Sequence, residues 1–81
     1  MFCVYLIESE KDGRYYIGQT ANLEERIKYH NSNRSKYTKN KGPWKLTGYQ
    51  TFDTRGEAMK EEKRLKKMKN RDYIYKYFTC A

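Results

Sequence analysis

The sequence predicts an α+β fold, a small sheet with helices packed on it, in the order β-β-α-β-α-α. Three observations carry that prediction. Two short runs rich in apolar and aromatic residues, FCVYLIE at 2–8 and RYYIG at 14–18, flank the turn-forming SEKDG. Two helix-start signatures, Asn22 with Glu25 and Thr54 with Glu57, each open a stretch with apolar residues at helical spacing. The chain has 81 residues with no repeat, low-complexity segment or interdomain linker, so one domain over 1–81 is expected.

FCVYLIE is too short for a helix and reads as a buried strand. Asp12-Gly13 is hairpin chemistry, which makes RYYIG an antiparallel second strand. Asn22 then caps a first helix whose Leu23, Arg26, Ile27 and His30 fall at i, i+3, i+4 and i+7, on one face. Residues 31–43 are polar and basic and close on Gly42-Pro43, which predicts a loop. Trp44 to Phe52 alternates weakly, with Tyr49 and Phe52 out of phase with Trp44 and Leu46. A third strand with an irregularity at Gly48 follows. Thr54 caps a second helix running to about Lys69, with Ala58, Met59, Leu65 and Met68 as its apolar stripe. RDYIYKYF places Tyr73, Ile74, Tyr77 and Phe78 on one side of a short final helix.

A chain of this size buries only roughly 60–65% of its unfolded surface, so the core is thin. Nine tyrosines, three phenylalanines and one tryptophan suit that need, although the same rings could stack on bases. Trp44, after Pro43, reads first as an anchor of the loop to the core. The net charge is +8 and the isoelectric point near 9.5, which favours a polyanionic partner, nucleic acid first. The charge is uneven. Residues 31–50 hold Arg34, Lys36, Lys39, Lys41 and Lys45 and no acid, and residues 55–71 hold eight basic residues against three acidic ones. Cys3 and Cys80 stand at opposite ends without metal-ligand spacing. The sequence shows no secretory-leader pattern and no apolar stretch near the ~20 residues of a membrane span. Two free thiols, a cytoplasmic location and no membrane partner are the expectation.

Arg26 and His30 lie one turn apart on the face that also carries Leu23 and Ile27. Taken singly, each reads as a structural residue, the arginine snorkelling to water. Together, just downstream of Tyr16, they suit chemistry on a phosphate. Guanidinium binds phosphate oxygens bidentately, and imidazole can move a proton near neutral pH. Tyr5 and Tyr16 lie on two strands that should pair, so their phenols could approach across the ladder. A buried tyrosine pair is commonly only core. A phenol becomes a base when cations or a metal lower its pKa, and Arg26 offers such a charge. Glu61 and Glu62 flank the apolar stripe of the second helix at nearly equal angles, so periodicity does not choose between them. A carboxylate facing a phosphate-binding patch most often holds a divalent cation. The plainer role is a helix ion pair, with Lys66 or near Arg64.

These residues carry a resemblance. Cys3-Val4-Tyr5, an eleven-residue step from Tyr5 to Tyr16, Tyr16-Ile17-Gly18, and then Arg26 and His30 together resemble the GIY-YIG nuclease family. TRGEAMKEEKRLKK is similar to that family's stretch bearing a metal-binding glutamate. The chain looks most like the small free-standing bacterial members from residue 2 to about 78, and these are similar to the nuclease domain of the excision-repair endonuclease. The resemblance implies a three-stranded antiparallel sheet flanked by helices. It implies Tyr5, Tyr16, Arg26, His30 and Glu62 as the catalytic set, with Glu62 rather than Glu61 as the ligand of magnesium or manganese. It implies Gly18 as a tight turn of the backbone beside the site. The sequence departs from the family twice. Cys3 replaces the glycine of the first triplet, and Asn70, eight residues beyond Glu62, fits a cap of the last helix better than a site residue.

The activity so implied is metal-dependent hydrolysis of phosphodiester bonds in DNA, in repair or recombination. Arg34, Lys36, Lys39, Lys41 and Lys45, with the basic side of the second helix, would track the DNA backbone. The chain is expected to act as a monomer or weak homodimer. The competing reading is a catalytically weak or inactive nucleic-acid-binding accessory domain, against which stands the presence of a reactive residue at all five matched positions. A third reading is an interaction adaptor using the tyrosine-rich last helix, testable by sedimentation.

Overall fold

The computed structural model describes residues 1–32 and 42–79. β1 (Phe2–Ser9) is the central strand, with β2 (Tyr15–Thr20) and β3 (Trp44–Phe52) on either side in the order β2-β1-β3. Both pairings are antiparallel. The helices are α1 (Leu23–Asn31), α2 (Arg55–Met68) and α3 (Arg71–Thr79), so the order is the β-β-α-β-α-α expected.

Ser9 closes the hairpin between β1 and β2. Its hydroxyl accepts from the Lys11 and Asp12 backbone N–H groups at 3.1 and 3.3 Å, and Gly13 turns the chain with φ 76. The irregularity expected at Gly48 lies next to it. Leu6 pairs with Gly48 and Ile7 with Leu46, so Thr47 is the extra residue of a β-bulge. Gly48 itself is needed for packing, because a Cβ there would meet the Phe78 carbonyl carbon at 2.9 Å.

Alternation divides the sheet into two faces. Val4, Leu6 and Ile17 point to one and pack with Ala58 and Leu65 of α2 and Ile74 and Phe78 of α3. Tyr5 and Ile7 point to the other, where they pack with Trp44 and with Leu23 and Ile27 of α1. Trp44 is buried there as core. The Asn31 side chain holds the end of α1 to the start of β3, accepting from the Trp44 N–H at 2.6 Å and donating to its carbonyl at 3.2 Å.

Both expected helix caps form, though neither closes as a reciprocal box. Asn22 Oδ1 accepts from the Glu25 N–H at 3.2 Å, while the Asn22 N–H turns instead to the Thr20 hydroxyl. Thr54 Oγ1 accepts from the Glu57 N–H and donates to the Glu57 carboxylate. The apolar stripe of α2 is narrower than expected. Ala58 and Leu65 are buried, but Met59 is 41% exposed, since it sits about 100° round the helix from Ala58. Met68 is also exposed, at the last turn, where Lys69 takes a left-handed φ of 53 and redirects the chain. In α3, Ile74 and Phe78 are buried and Tyr73 is not. Asn70 caps α3, its Oδ1 accepting from the Tyr73 N–H at 3.1 Å, the role its sequence position suggested.

Candidate active site

Tyr5 sits at the middle of the central strand and is fully buried. Its hydroxyl lies 2.8 Å from Nε2 of His30, which is buried too. Gly18 is the residue paired with Tyr5 across the ladder. A Cβ at Gly18 would come within 2.6 Å of Tyr5 Cζ and closer still to the hydroxyl oxygen. The glycine therefore seats the phenol. It lies within β2 rather than at a tight turn, which corrects the role the resemblance implied.

Tyr16 is two residues before Gly18 and so shares its face. Its ring runs parallel to that of Tyr5, centroids 6.5 Å apart and planes 4° apart. The His30 ring meets both, with centroids 5.1 Å from Tyr16 and 5.9 Å from Tyr5. α1 brings Arg26 to the same place, one turn before His30. The guanidinium lies beside the Tyr5 hydroxyl and 4.5 Å over the Tyr29 ring. Arg26 Nε is buried and has no hydrogen-bond partner among the described residues. A buried donor left without an acceptor costs about 1–3 kcal/mol, so the position favours an incoming oxygen.

α2 supplies the carboxylate, and the structure separates the two candidates. Glu61 is committed to the fold. It accepts both arms of the Arg64 fork at 2.6 and 2.9 Å and the Tyr77 hydroxyl at 2.6 Å. Arg64 holds the Glu61 carboxyl below the usual carboxylate range. Glu62 faces the tyrosines, close enough that its charge acts on Tyr5. Its side chain is 18% exposed and pairs with Lys66 Nζ at 3.0 Å, the i, i+4 contact expected for one of the two. Lys66 Nζ also sits 5.3 Å over the Tyr16 ring, a contact that sequence spacing alone does not reveal.

Burial sets the protonation of the centre. It pushes the Tyr5 hydroxyl up to about 12, against the pull of Arg26. The expectation that Arg26 makes the paired phenols readily ionisable fails at Tyr5, because desolvation outweighs the cation. Burial, with the Arg26 charge, pushes His30 down to about 4. At neutral pH the pair is a neutral phenol and a neutral imidazole. A guanidinium can only donate, so the Tyr5 oxygen is free to give its own proton to His30 Nε2.

Tyr5, Tyr16, Arg26, His30 and Glu62 are thus gathered in one place. Tyr16 and Lys66 line a groove along the β2 edge, and Arg26 and Tyr29 line a second at the far end of that strand. Tyr29 was not singled out from the sequence, although its place three residues after Arg26 is a usable signal. Lys45 is exposed and stands apart, paired with Glu8 in a row on the opposite face of the sheet. Arg34, Lys36, Lys39 and Lys41 lie outside the described residues.

Among the described residues no three His, Cys, Asp or Glu side chains cluster as a metal site. Glu62 is a single hard oxygen donor. That donor set fits magnesium or manganese, which bind through one or two carboxylates together with substrate phosphates and waters.

A three-stranded antiparallel sheet with helices on both faces carries strand tyrosines, a helix arginine and a helix glutamate near one another. The chain belongs to the GIY-YIG family of nucleases, whose catalytic-domain model matches residues 1–77. It is 39% identical over 69 residues to a UPF0213 protein of Halobacterium salinarum, covering 84% of this chain and 88% of that one. It is 42% identical over 66 residues to a UPF0213 protein of Clostridium perfringens, covering 80% and 70%. The solution NMR structure of a UPF0213 protein from Bacillus halodurans superposes with a TM-score of 0.55 at 36% identity, covering 90% of this chain and 79% of that one.

Proposed function

We propose that the protein is a divalent-metal-dependent endonuclease that hydrolyses phosphodiester bonds in DNA. The observation that carries this reading is the gathering of Tyr5, Tyr16 and His30 about Arg26, whose buried Nε has no hydrogen-bond partner among the described residues, with Glu62 close enough to act on Tyr5. Arg26 receives the scissile phosphate and clamps its non-bridging oxygens. Tyr16, half-buried and lining an open groove, is the phenol that water can reach; it gives its own proton to solvent and, as the phenolate, takes the proton of the attacking water and returns to the phenol. Tyr5 is sealed from solvent. It joins Arg26 to His30 and fixes the orientation of both. His30 is a positioning residue that holds the Tyr5 hydroxyl, and the negative phosphate counters the Arg26 charge that disfavours its imidazolium. Lys66, over the Tyr16 ring, balances the negative charge of the phenolate until it takes that proton. Glu62 is the residue that holds magnesium or manganese, which when bound supplies Lewis-acid stabilisation of the phosphate and the leaving oxygen.

The reading extends to a cytoplasmic site of action, a role in repair or recombination, and a monomer or weak homodimer. The free thiol of Cys3 and the +8 net charge agree with the first two. No helix among the described residues is long and apolar enough to cross a membrane. One observation favours a DNA-binding accessory domain of weak activity instead: Glu62 is already paired with Lys66. The Lys66 side chain is itself half-exposed, so it can swing to water and leave the Glu62 carboxylate to a divalent cation. Nicking of plasmid, flap, fork and single-stranded DNA, with magnesium, manganese or chelator, tests the proposal. Metal-dependent cleavage supports it, and salt-sensitive binding without cleavage supports the accessory reading.

A further inference from the structure

Lys66 and Glu62 lie one turn apart on α2, with Lys66 Nζ 3.0 Å from a Glu62 carboxylate oxygen. A pair at i, i+4 is ordinarily a surface contact of little consequence. Glu24 and Lys28 of α1 are such a pair, 3.7 Å apart with side chains 83% and 76% exposed. The α2 pair differs in three ways. Glu62 is mostly buried, so little water screens its charge. Lys66 Nζ also lies 5.3 Å over the Tyr16 ring, so the ammonium is held from two sides. Lys66 and Tyr16 line the same groove at the β2 edge, which gives the ammonium an open path away from Glu62.

We propose that Lys66 is the resident counter-ion of Glu62, a cation built into the chain that holds the metal's carboxylate until a divalent ion displaces it. The proposal rests on the nuclease reading above, which gives the metal to Glu62. Magnesium or manganese binds a carboxylate oxygen at about 2.1 Å. Even on the second oxygen of Glu62 the ion would stand on the order of 5 Å from the ammonium, where charges of the same sign repel strongly. Ammonium and metal therefore compete for one carboxylate. The pair leaves no bare carboxylate to repel an arriving phosphate while the metal is absent. A divalent ion wins the competition because it carries twice the charge and takes phosphate oxygens and waters as further ligands. Lys66 thereby sets how much metal the site requires.

The test is a manganese chloride titration of the full chain without DNA, read by paramagnetic broadening of the backbone amide NMR signals around Glu62. That readout needs no cleavage. The unaltered protein is compared with Lys66→Met, Lys66→Arg, Lys63→Met and Glu62→Gln, with thermal melts to show that each is folded. Methionine keeps the unbranched stem and the helix propensity of lysine without its charge. Should Lys66→Met melt early, Lys66→Gln removes the same charge with a polar side chain. Lys63 is exposed and adjoins Glu62 in sequence, so its variant controls for a charge lost outside the pair. Lys66→Met should bind manganese roughly four- to tenfold more tightly, the worth of one helix ion pair and one cation–π contact. Lys66→Arg keeps the competing charge and should bind like the unaltered protein. Lys63→Met should change affinity by about twofold or less, its charge being screened by solvent. No tightening in Lys66→Met, or equal tightening in Lys63→Met or Lys66→Arg, overturns the counter-ion role. If Glu62→Gln still abolishes the broadening in that case, the nuclease reading stands. Broadening around residue 62 that is absent in the unaltered protein, or undiminished in Glu62→Gln, removes the metal site and overturns both.

Discussion

The Tyr5 hydroxyl and the His30 imidazole share a 2.8 Å hydrogen bond with no solvent around either group. Folding therefore keeps His30 neutral, with its pKa lowered to about 4 from an ordinary 6.5. Between those values the unfolded chain binds a proton that the folded chain does not. The stability that neutral His30 contributes is complete above the unfolded value and lost as pH falls toward the folded one, at ~1.4 kcal/mol per pH unit. Urea denaturation across that window should show stability falling with pH, and His30→Gln should flatten the slope. An unaltered protein equally stable at both ends would contradict the buried neutral pair. Tyr5, Tyr16, Arg26 and His30 of the candidate site stood out in the sequence by their spacings, whereas Glu62 was chosen over Glu61 only through the family resemblance. The part of Gly18 was not legible, since it depends on which residue faces it across the ladder. The Lys66 contact with Tyr16 was not either, because it joins α2 to the edge of β2 across the tertiary fold.

At the scale of the element, α2 divides its two glutamates by direction. Glu61 locks α2 to α3 through Arg64 and Tyr77, and Arg64 also lies 5.7 Å over the Tyr77 ring. Burial, with the bond to Glu61, pushes the Tyr77 hydroxyl up to about 12. Glu61→Gln should lower stability by about 1–2 kcal/mol and leave cleavage per folded molecule unchanged. Glu62→Gln should abolish cleavage with little change in stability. Paired denaturation and nicking assays check this, and a Glu61 variant that is stable but inactive would reverse the assignment. The C-terminus of α2 offers a second expectation. Lys69 holds a left-handed conformation that glycine adopts freely, so Lys69→Gly should raise stability by about 1 kcal/mol, read by thermal melting. Element types and order were legible throughout, since the capping residues and the hairpin signal are local. Periodicity erred only in width. Met59, Met68 and Tyr73 lie at margins of their stripes, and how far a sheet covers a helix is not written in that helix's own sequence.

For the whole molecule, charge carries the expected affinity. Phosphate contacts release counterions, so log affinity for DNA should fall linearly with log salt, with a slope of about −0.9 per phosphate neutralised. Affinity flat across a salt titration would remove backbone tracking from the account. Two assembled layers of helix, one on each side of a thin sheet, leave the β2 edge and its two grooves open to so large a substrate. That openness puts the proposed chemistry beside the β2-edge groove, which Tyr16 and Lys66 line and whose Lys66 pairs with Glu62. The most direct test is nicking of the mixed DNA panel by the unaltered protein, Glu62→Ala and Tyr16→Phe, each with magnesium, manganese or chelator. The account predicts metal-dependent cleavage by the unaltered protein that is lost in both variants. Cleavage that survives both substitutions would contradict it.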